Sequence, residues 1–483
     1  MRTNLRAVSV LALLTLAGCV VAPSESVDEP VASSSEELGP FGDCPPWAPW
    51  AGGCATSIAL PHVLTQHNDT SRTGWNHFER ALDTSDLRAT QFGKLATWTV
   101  DGQVYAQPLY VSRGAGQRDL VVVATEHNVV YGFDPDVPGD SPTPVWRRYL
   151  GTPYRVRPLG NAFNINVYPE MGVTSTPVID LATRSIFLVS LQMGDHVTPR
   201  GTARELGYKI VELDLATGAV RRSAWLDPFA ITGPRATDVK EMDPRLYVQR
   251  ASLLLSQGRI YVGFASNLGD LGPEWHGYLV AVNRATLTPD ATFITTPHTQ
   301  MGGIWQAGQG PAANLLGDVF VETGNGDEGN PNQEYGNSLL ELRYSAPGKR
   351  LSVRGQFSVP EKDDNDFGSM GPMLVPWLPY VFSGGKDGVL FLHYQGAIDA
   401  PVQSKKLGGP LLASPIVWSR GTSSTVFSWP GSNTLAQMSL APIGPAPLGA
   451  PVWATSKLYA GTFGGVLAGS SDGSRAGTGG TAC

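Results

Sequence analysis

Leu120-Val-Val-Val-Ala-Thr125, then Glu126-His127-Asn128, then Val129-Val-Tyr-Gly-Phe133: two β-branched runs about a three-residue turn read as a hairpin. The arrangement recurs at 186–191 with 208–213, at 259–265 with 278–282, and at 318–323 with 338–342. It returns at 379–383 with 389–393, turning at Lys386-Asp387-Gly388, and at 425–429 with 434–438. The hairpin tips are about 60 residues apart, room for one four-stranded sheet per period plus long loops. Two signals repeat in phase with them. Asp214-Leu-Ala-Thr-Gly218 and Asp180-Leu-Ala-Thr183 fit tight turns in which Asp bonds the backbone ahead of it. Thr176-Pro-Val-Ile179 and Ser414-Pro-Ile-Val417 fit strand starts, where no ladder donor is needed from Pro. Equivalent sheets in succession predict an all-β fold, a β-propeller of four-stranded antiparallel blades, over two packed sandwiches.

Composition agrees. The chain has 483 residues, 42% of them hydrophobic and 16% charged, with 56 Gly and 38 Pro, which excludes helical bundles and disorder and favours short strands joined by turns. Its formal charge of −7 grows more negative once Arg2 and Arg6 leave with a signal peptide, so nucleic acid is not an expected partner.

Residues 1–18 carry two N-terminal cations and an apolar run too short to span a bilayer, the pattern of an export signal. Leu16-Ala17-Gly18-Cys19 resembles the lipobox of bacterial lipoproteins, which makes Cys19 the expected lipidation site and a membrane the expected partner. By the same resemblance, Val20 after the Cys implies sorting to the outer membrane or cell surface. Residues 20–43 hold six acids and no Lys or Arg, as in a flexible tether. Cys44 and Cys54 bracket a Pro/Trp loop that a disulfide would close, the pairing favoured over free thiols in an oxidising compartment; Cys483 is left odd. Three segments follow: signal 1–18; lipidated Cys, acidic tether and Cys/Pro/Trp loop 19–56; propeller 57–483.

From about residue 64 to 479 the chain resembles the PQQ-like (quinoprotein alcohol dehydrogenase-like) β-propellers. The matching stretches are Asn68-Asp-Thr-Ser-Arg-Thr-Gly74, Val100-Asp-Gly-Gln-Val-Tyr-Ala-Gln-Pro-Leu-Tyr110 and Val123-Ala-Thr-Glu-His-Asn128. Downstream come Pro169-Glu-Met-Gly-Val-Thr-Ser-Thr-Pro-Val-Ile-Asp180, Gly302-Gly-Ile-Trp-Gln-Ala-Gly-Gln-Gly-Pro311, Thr323-Gly-Asn-Gly326 and Gly384-Gly-Lys-Asp-Gly388. The family pattern is eight-bladed. Here Ser470-Ser-Asp-Gly-Ser-Arg-Ala-Gly-Thr-Gly479 is followed only by Gly480-Thr-Ala-Cys483, so the expectation is six sheets, a partial seventh, and an open or irregularly closed ring with exposed strand edges. A natural compact variant and a truncated product with no function of its own both fit that ending.

Quinoprotein alcohol dehydrogenases hold PQQ under a disulfide between adjacent cysteines, with Glu, Asn and Asp around calcium. No two cysteines here are adjacent, which argues against PQQ with calcium, and no Cys-x-x-Cys-His is present to attach haem, so no cofactor is expected. The eight His residues lack paired spacing, so no metal is expected either. Asp363-Asp-Asn-Asp366 and Asn325-Gly-Asp-Glu328 read as solvated turns before calcium loops. Gly469-Ser-Ser471-Asp-Gly473 spells a nucleophile elbow but has no His after it.

The remaining candidates are Glu170, His276, Trp305, Gln306, Asp366 and Lys386, which as channel-lining groups would form a funnel with an aromatic platform, acids and one base. Glu170 or Asp366 would serve as general base and Lys386 would neutralise an anion. The bland alternative for each is a hydrogen bond between blades or a turn cap. The functional expectation is an envelope-anchored propeller lipoprotein, a scaffold binding a small polar ligand or an envelope protein without PQQ. It is similar in this to the outer-membrane assembly propeller lipoprotein, a lipid-anchored scaffold with PQQ-type repeats. The alternative is a quinoprotein-like oxidoreductase acting on an alcohol or sugar in the central channel.

Overall fold

Along Ser185–Val197, neighbouring side chains pack in opposite directions: Ile186 and Leu188 join one apolar cluster, Phe187 and Val189 another. Such a strand is buried on both faces, which requires a sheet on each side of its own. The computed structural model describes residues 62–77, 79, 93–113, 118–156, 165–197, 203–226, 242–270, 275–329, 333–360, 366–420, 423–431, 434–454 and 465–471, with the pairs 20–21, 231–232, 239–240 and 481–482. The signal peptide, Cys19, Cys44, Cys54 and Cys483 lie outside the described residues.

Six antiparallel sheets follow in chain order. Blade 1 pairs His62–Val63, Leu109–Val111, Leu120–Ala124, Val129–Phe133 and Trp146–Tyr149. Blade 2 is Val178–Asp180, Ser185–Val197, Ala203–Asp214 and Val220–Trp225; blade 3 is Leu254–Ser256, Arg259–Ser266, Tyr278–Asn283 and Pro289–Ile294, with Tyr247–Val248 added beside its second strand. Blade 4 is Ala312–Ala313, Asp318–Glu322, Ser338–Ser345 and Arg350–Ser358. Blade 5 is Met373–Leu374, Tyr380–Gly384, Val389–Tyr394 and Gln403–Lys406; blade 6 is Ile416–Arg420, Ser423–Ser428, Ala436–Leu440 and Val452–Trp453. A further sheet of two-residue strands orders Val20–Val21, Thr481–Ala482, Gly469–Ser470 and Trp75–Asn76, the last pairing parallel to its neighbour. Each expected hairpin is the middle strand pair of a blade.

The core sits between blades. Tyr261, Leu279, Val319 and Val321 pack blade 3 on blade 4; Phe320, Leu339 and Val381 pack blade 4 on blade 5; Tyr380, Phe382, Val417 and Val426 pack blade 5 on blade 6. Adjacent residues such as Phe320 and Val321 therefore serve different neighbours, which a two-layer sandwich does not do.

The turn chemistry is local and repeats. Asp214 Oδ1 accepts the amides of Ala216 and Thr217 at 2.9 Å, and Gly218 takes φ 64°. The same place in blade 3 is built from Asn283, whose Oδ1 accepts the Ala285 amide at 2.9 Å, and ends at Leu287 with φ 59°. Just ahead of this turn the pairing register shifts in blades 2, 3 and 4 alike, at Glu212/Leu213, Ala281/Val282 and Glu341/Leu342. A bulge kept in three successive sheets marks one repeated unit.

What gathers the blades is the stretch from Leu64 to Gly74. Its carbonyls accept the inner-strand amides of successive blades: Leu64 from Ile179 (2.8 Å), Thr70 from Ala313 (2.8 Å), Ser71 from Leu374 (2.8 Å), Thr73 from Val417 (3.1 Å) and Gly74 from Gly469 (2.7 Å). Arg72, fully buried, completes the set. Its Nε donates to Pro311 O at 2.9 Å, Nη1 to Thr65 Oγ1 and Gln66 O at 2.7 Å, and Nη2 to Leu253 O at 3.0 Å. Burial pulls the guanidinium down to about 10, with the nearby Asp69 acting in the opposite sense. His67 joins the strap to the last sheet through Nε2 and Leu467 O at 3.1 Å.

Candidate functional site

In an up-and-down four-stranded blade, the turn between strands two and three and the link from strand four to the next blade emerge on the same side. Glu170 lies on the link from blade 1 to 2, Trp305 and Gln306 on that from 3 to 4, and Asp366 on that from 4 to 5; His276 and Lys386 lie in the hairpins of blades 3 and 5. All six expected residues thus share one face, but they do not share one site.

Trp305, Asp366 and Lys386 line a single cavity of about 580 Å³, together with Asp270, Trp275 and Asn325. Lys386 Nζ pairs with Asp366 Oδ2. Asn325 Oδ1 accepts the Asp366 amide at 3.0 Å, and its Nδ2 donates to Asp270 Oδ2 at 2.9 Å. The result is one row of polar groups, Asp270, Asn325, Asp366 and Lys386, tied through the Asp366 amide and lining one cavity with two indoles. Asn325 is 4% exposed, which corrects its reading as part of a solvated turn. The backbone here is held in left-handed conformations without glycine: Met301 at φ 72°, Gln306 at 48°, Ala307 at 45° and Asp366 at 37°. Each costs of order 1–3 kcal/mol, the kind of strain that concentrates at functional sites.

The other three candidates do different work. Glu170 is not a free base in the cavity: its Oε2 lies 2.7 Å from His127 Nδ1 and its Oε1 3.9 Å from Arg155 Nη2. His276 is 3% exposed, with Nδ1 on Thr296 O at 2.8 Å and its amide donating to the Tyr247 hydroxyl at 3.0 Å, both within blade 3. Gln306 is fully buried, and neither of its amide atoms has a hydrogen-bond partner among the described residues.

Glu126 and Arg250 escaped the sequence reading. Glu126, at the tip of the blade 1 hairpin, is pushed up to about 7 by burial, against the pull of the Gly172 amide (2.7 Å) and the Thr174 hydroxyl (3.0 Å) on its Oε2. Arg250 lies 5.6 Å over the Tyr105 ring and donates from Nη2 to Ala307 O at 3.2 Å; burial lowers it and the charge of Glu126 raises it. Glu126 lies inside the quoted stretch 123–128, where a charged residue at a hairpin tip looks like ordinary turn polarity. No group of three or more His, Cys, Asp or Glu among the described residues is placed to hold a metal ion.

Fold and cavity together define a class: an all-β propeller with a polar, tryptophan-lined cavity on one face. No protein-family model and no curated protein sequence matches the chain. Among solved structures it is similar to the quinohemoprotein alcohol dehydrogenase of Comamonas testosteroni, with a TM-score of 0.51 and 12% identity over 87% of this chain and 80% of that one. Quinohemoprotein alcohol dehydrogenase ADHIIG from Pseudomonas putida HK5 gives 0.49 and 12%, over 80% of this chain and 59% of that one, so this chain spans about six tenths of that enzyme. The Dos1 propeller gives 0.40 and 10%, over 80% and 81%. The likeness shows the fold, a β-propeller.

Proposed function

We propose that this chain is an envelope-anchored propeller that binds a small polar ligand in the cavity of Trp305, Asp366 and Lys386, as a scaffold and without PQQ. The observation that carries the reading is the tied row from Asp270 to Lys386. Polar groups oriented by one another before any ligand arrives lower the ordering cost of binding. The strained backbone at Ala307 and Asp366 supports it.

The donor set argues against PQQ. Trp305 lines the cavity, but PQQ is a tricarboxylate, which Asp270 and Asp366 repel unless calcium lies between, and no group of three or more His, Cys, Asp or Glu among the described residues is placed to hold it. The wall's one cation among the described lining residues, Lys386, is engaged by Asp366. The sequence also lacks the adjacent cysteines. Anchoring through Cys19 is part of the same reading and rests on the lipobox-like stretch.

The oxidoreductase alternative draws on Asp366 and Lys386 sharing one cavity, with Asp366 as base. Engagement of Glu170 by His127 removes the second acid from that scheme. Titration with PQQ and calcium, followed by absorbance and dye-linked alcohol oxidation, separates the two: the scaffold reading expects no quinone spectrum and no turnover, and a stoichiometric quinone spectrum would overturn it. Membrane fractionation checks the anchor, with Cys19→Ala expected to move the protein into the soluble fraction.

A further inference from the structure

The charges of the cavity constrain its ligand. Two carboxylates, Asp270 and Asp366, against one ammonium, Lys386, which Asp366 engages, leave the wall net negative and disfavour an anion. A ligand without acid groups must still satisfy carboxylate acceptors, an amide and an ammonium donor set side by side. Adjacent hydroxyls on one ring do this, because each O–H donates to a carboxylate while its oxygen accepts from an amide or ammonium. The opposite requirement is an apolar face to lie on indole. Trp305 and Trp275 supply indole, and Gly303 and Gly324 among the lining residues bring no side chain into the space beside them. At Gly303 a Cβ would stand 3.0 Å from the Trp275 ring, while at Gly324 the nearest atoms would be Gly303 O at 3.7 Å and Asp366 Oδ1 at 3.8 Å. The first glycine admits the indole and the second leaves room beside the carboxylate.

We propose that the ligand is a saccharide without acid groups, one face of its ring on Trp305 and its neighbouring hydroxyls on the row formed by Asp270, Asn325, Asp366 and Lys386. This inference rests on the ligand-cavity reading above and adds the ligand's class. It also assigns a specificity role to Asp270, which rejects acidic sugars.

The test is isothermal titration of the full chain with glucose, galactose, mannose, maltose and cellobiose, and with glucuronate as the acidic counterpart. At least one neutral sugar is expected to bind, and glucuronate to bind about tenfold or more weakly than glucose. Trp305→Ala is expected to cost about tenfold or more in affinity. If that variant does not fold, Asp270→Asn, which conserves volume, still reports: it should narrow the gap between glucuronate and glucose. Glucuronate binding as well as glucose, or a ratio that Asp270→Asn does not move, would overturn the proposal. So would silence from every sugar while PQQ or another compound binds in a Trp305-dependent way, an outcome that removes the saccharide but keeps the cavity as a binding site. If no compound binds in a Trp305-dependent way, both the class and the cavity reading fall.

Discussion

Arg72→Ala tests whether the strap from Leu64 to Gly74 holds the blades together. The side chain makes four charge-assisted hydrogen bonds, to Pro311 O, Thr65 Oγ1, Gln66 O and Leu253 O. At roughly 1.5–2 kcal/mol net for each bond to a charged group, their loss amounts to about 6–8 kcal/mol. Against this, alanine removes a cation whose burial is unfavourable. The fall of the guanidinium from 12.5 to about 10 corresponds to about 3 kcal/mol, which the substitution returns. The expected destabilisation is therefore about 3–5 kcal/mol, and Leu253 O keeps the Thr65 hydroxyl at 3.3 Å as a partial substitute. Urea unfolding followed by tryptophan fluorescence reads it as a lower midpoint. Arg72→Met, which keeps the apolar stem, should lose nearly as much, because the carbonyls still lose their donor. Arg72→Lys should fall between, since one ammonium cannot reach Pro311 on one side and Gln66 on the other. A loss under about 1 kcal/mol for Arg72→Ala would refute the reasoning, for it would mean that the carbonyls find other donors at little cost.

Glu126 and His393 set opposing pH dependences. The Glu126 carboxyl sits at about 7 in the fold against 4.5 free, so between those values the folded state holds more protons than the unfolded one, and stability falls by about 3 kcal/mol as pH rises through them. His393, pulled to about 4 by burial, loses stability in the other direction, as pH falls from 6.5 through 4. Denaturation midpoints of Glu126→Gln should therefore rise with pH between 4 and 6.5, where the parent's stay nearly level; an unchanged profile would contradict the assignment. Gly277→Ala should cost more than about 3 kcal/mol or block folding, because its Cβ would stand 2.0 Å from the backbone oxygen of Gly302, which cannot swing aside. Thermal unfolding of the variant within about 1 kcal/mol of the parent would show that the 301–302 segment yields.

Much of the fold could be read directly from residues 120–133 and their counterparts, because a hairpin is written in a period of two and a turn, both local. Asp214-Leu-Ala-Thr-Gly218 formed the turn its letters describe, for the same reason. The candidate site was legible only in part. Trp305, Asp366 and Lys386 came together, whereas Glu170 went to His127 and His276 to Thr296. Asp270 carries no signal in the sequence and Asn325 reads there as part of a solvated turn, because a polar residue in a glycine-rich turn looks the same whether it faces water or a neighbouring carboxylate. Arg72 stood in a quoted motif with no role, since its partners Leu253 and Pro311 are 181 and 239 residues away.

β-branched and aromatic runs about turns were enough to establish that strands form and that equivalent sheets succeed one another; that the strands are buried on both faces came from the packing. Which side chains meet at the cavity, and that residues 64–74 serve as the hub of the ring, came from tertiary structure alone. The physical reason is range. Strand pattern and turn geometry act over a few residues, whereas a buried guanidinium or an ion pair such as Lys386 with Asp366 depends on where separate blades place their ends.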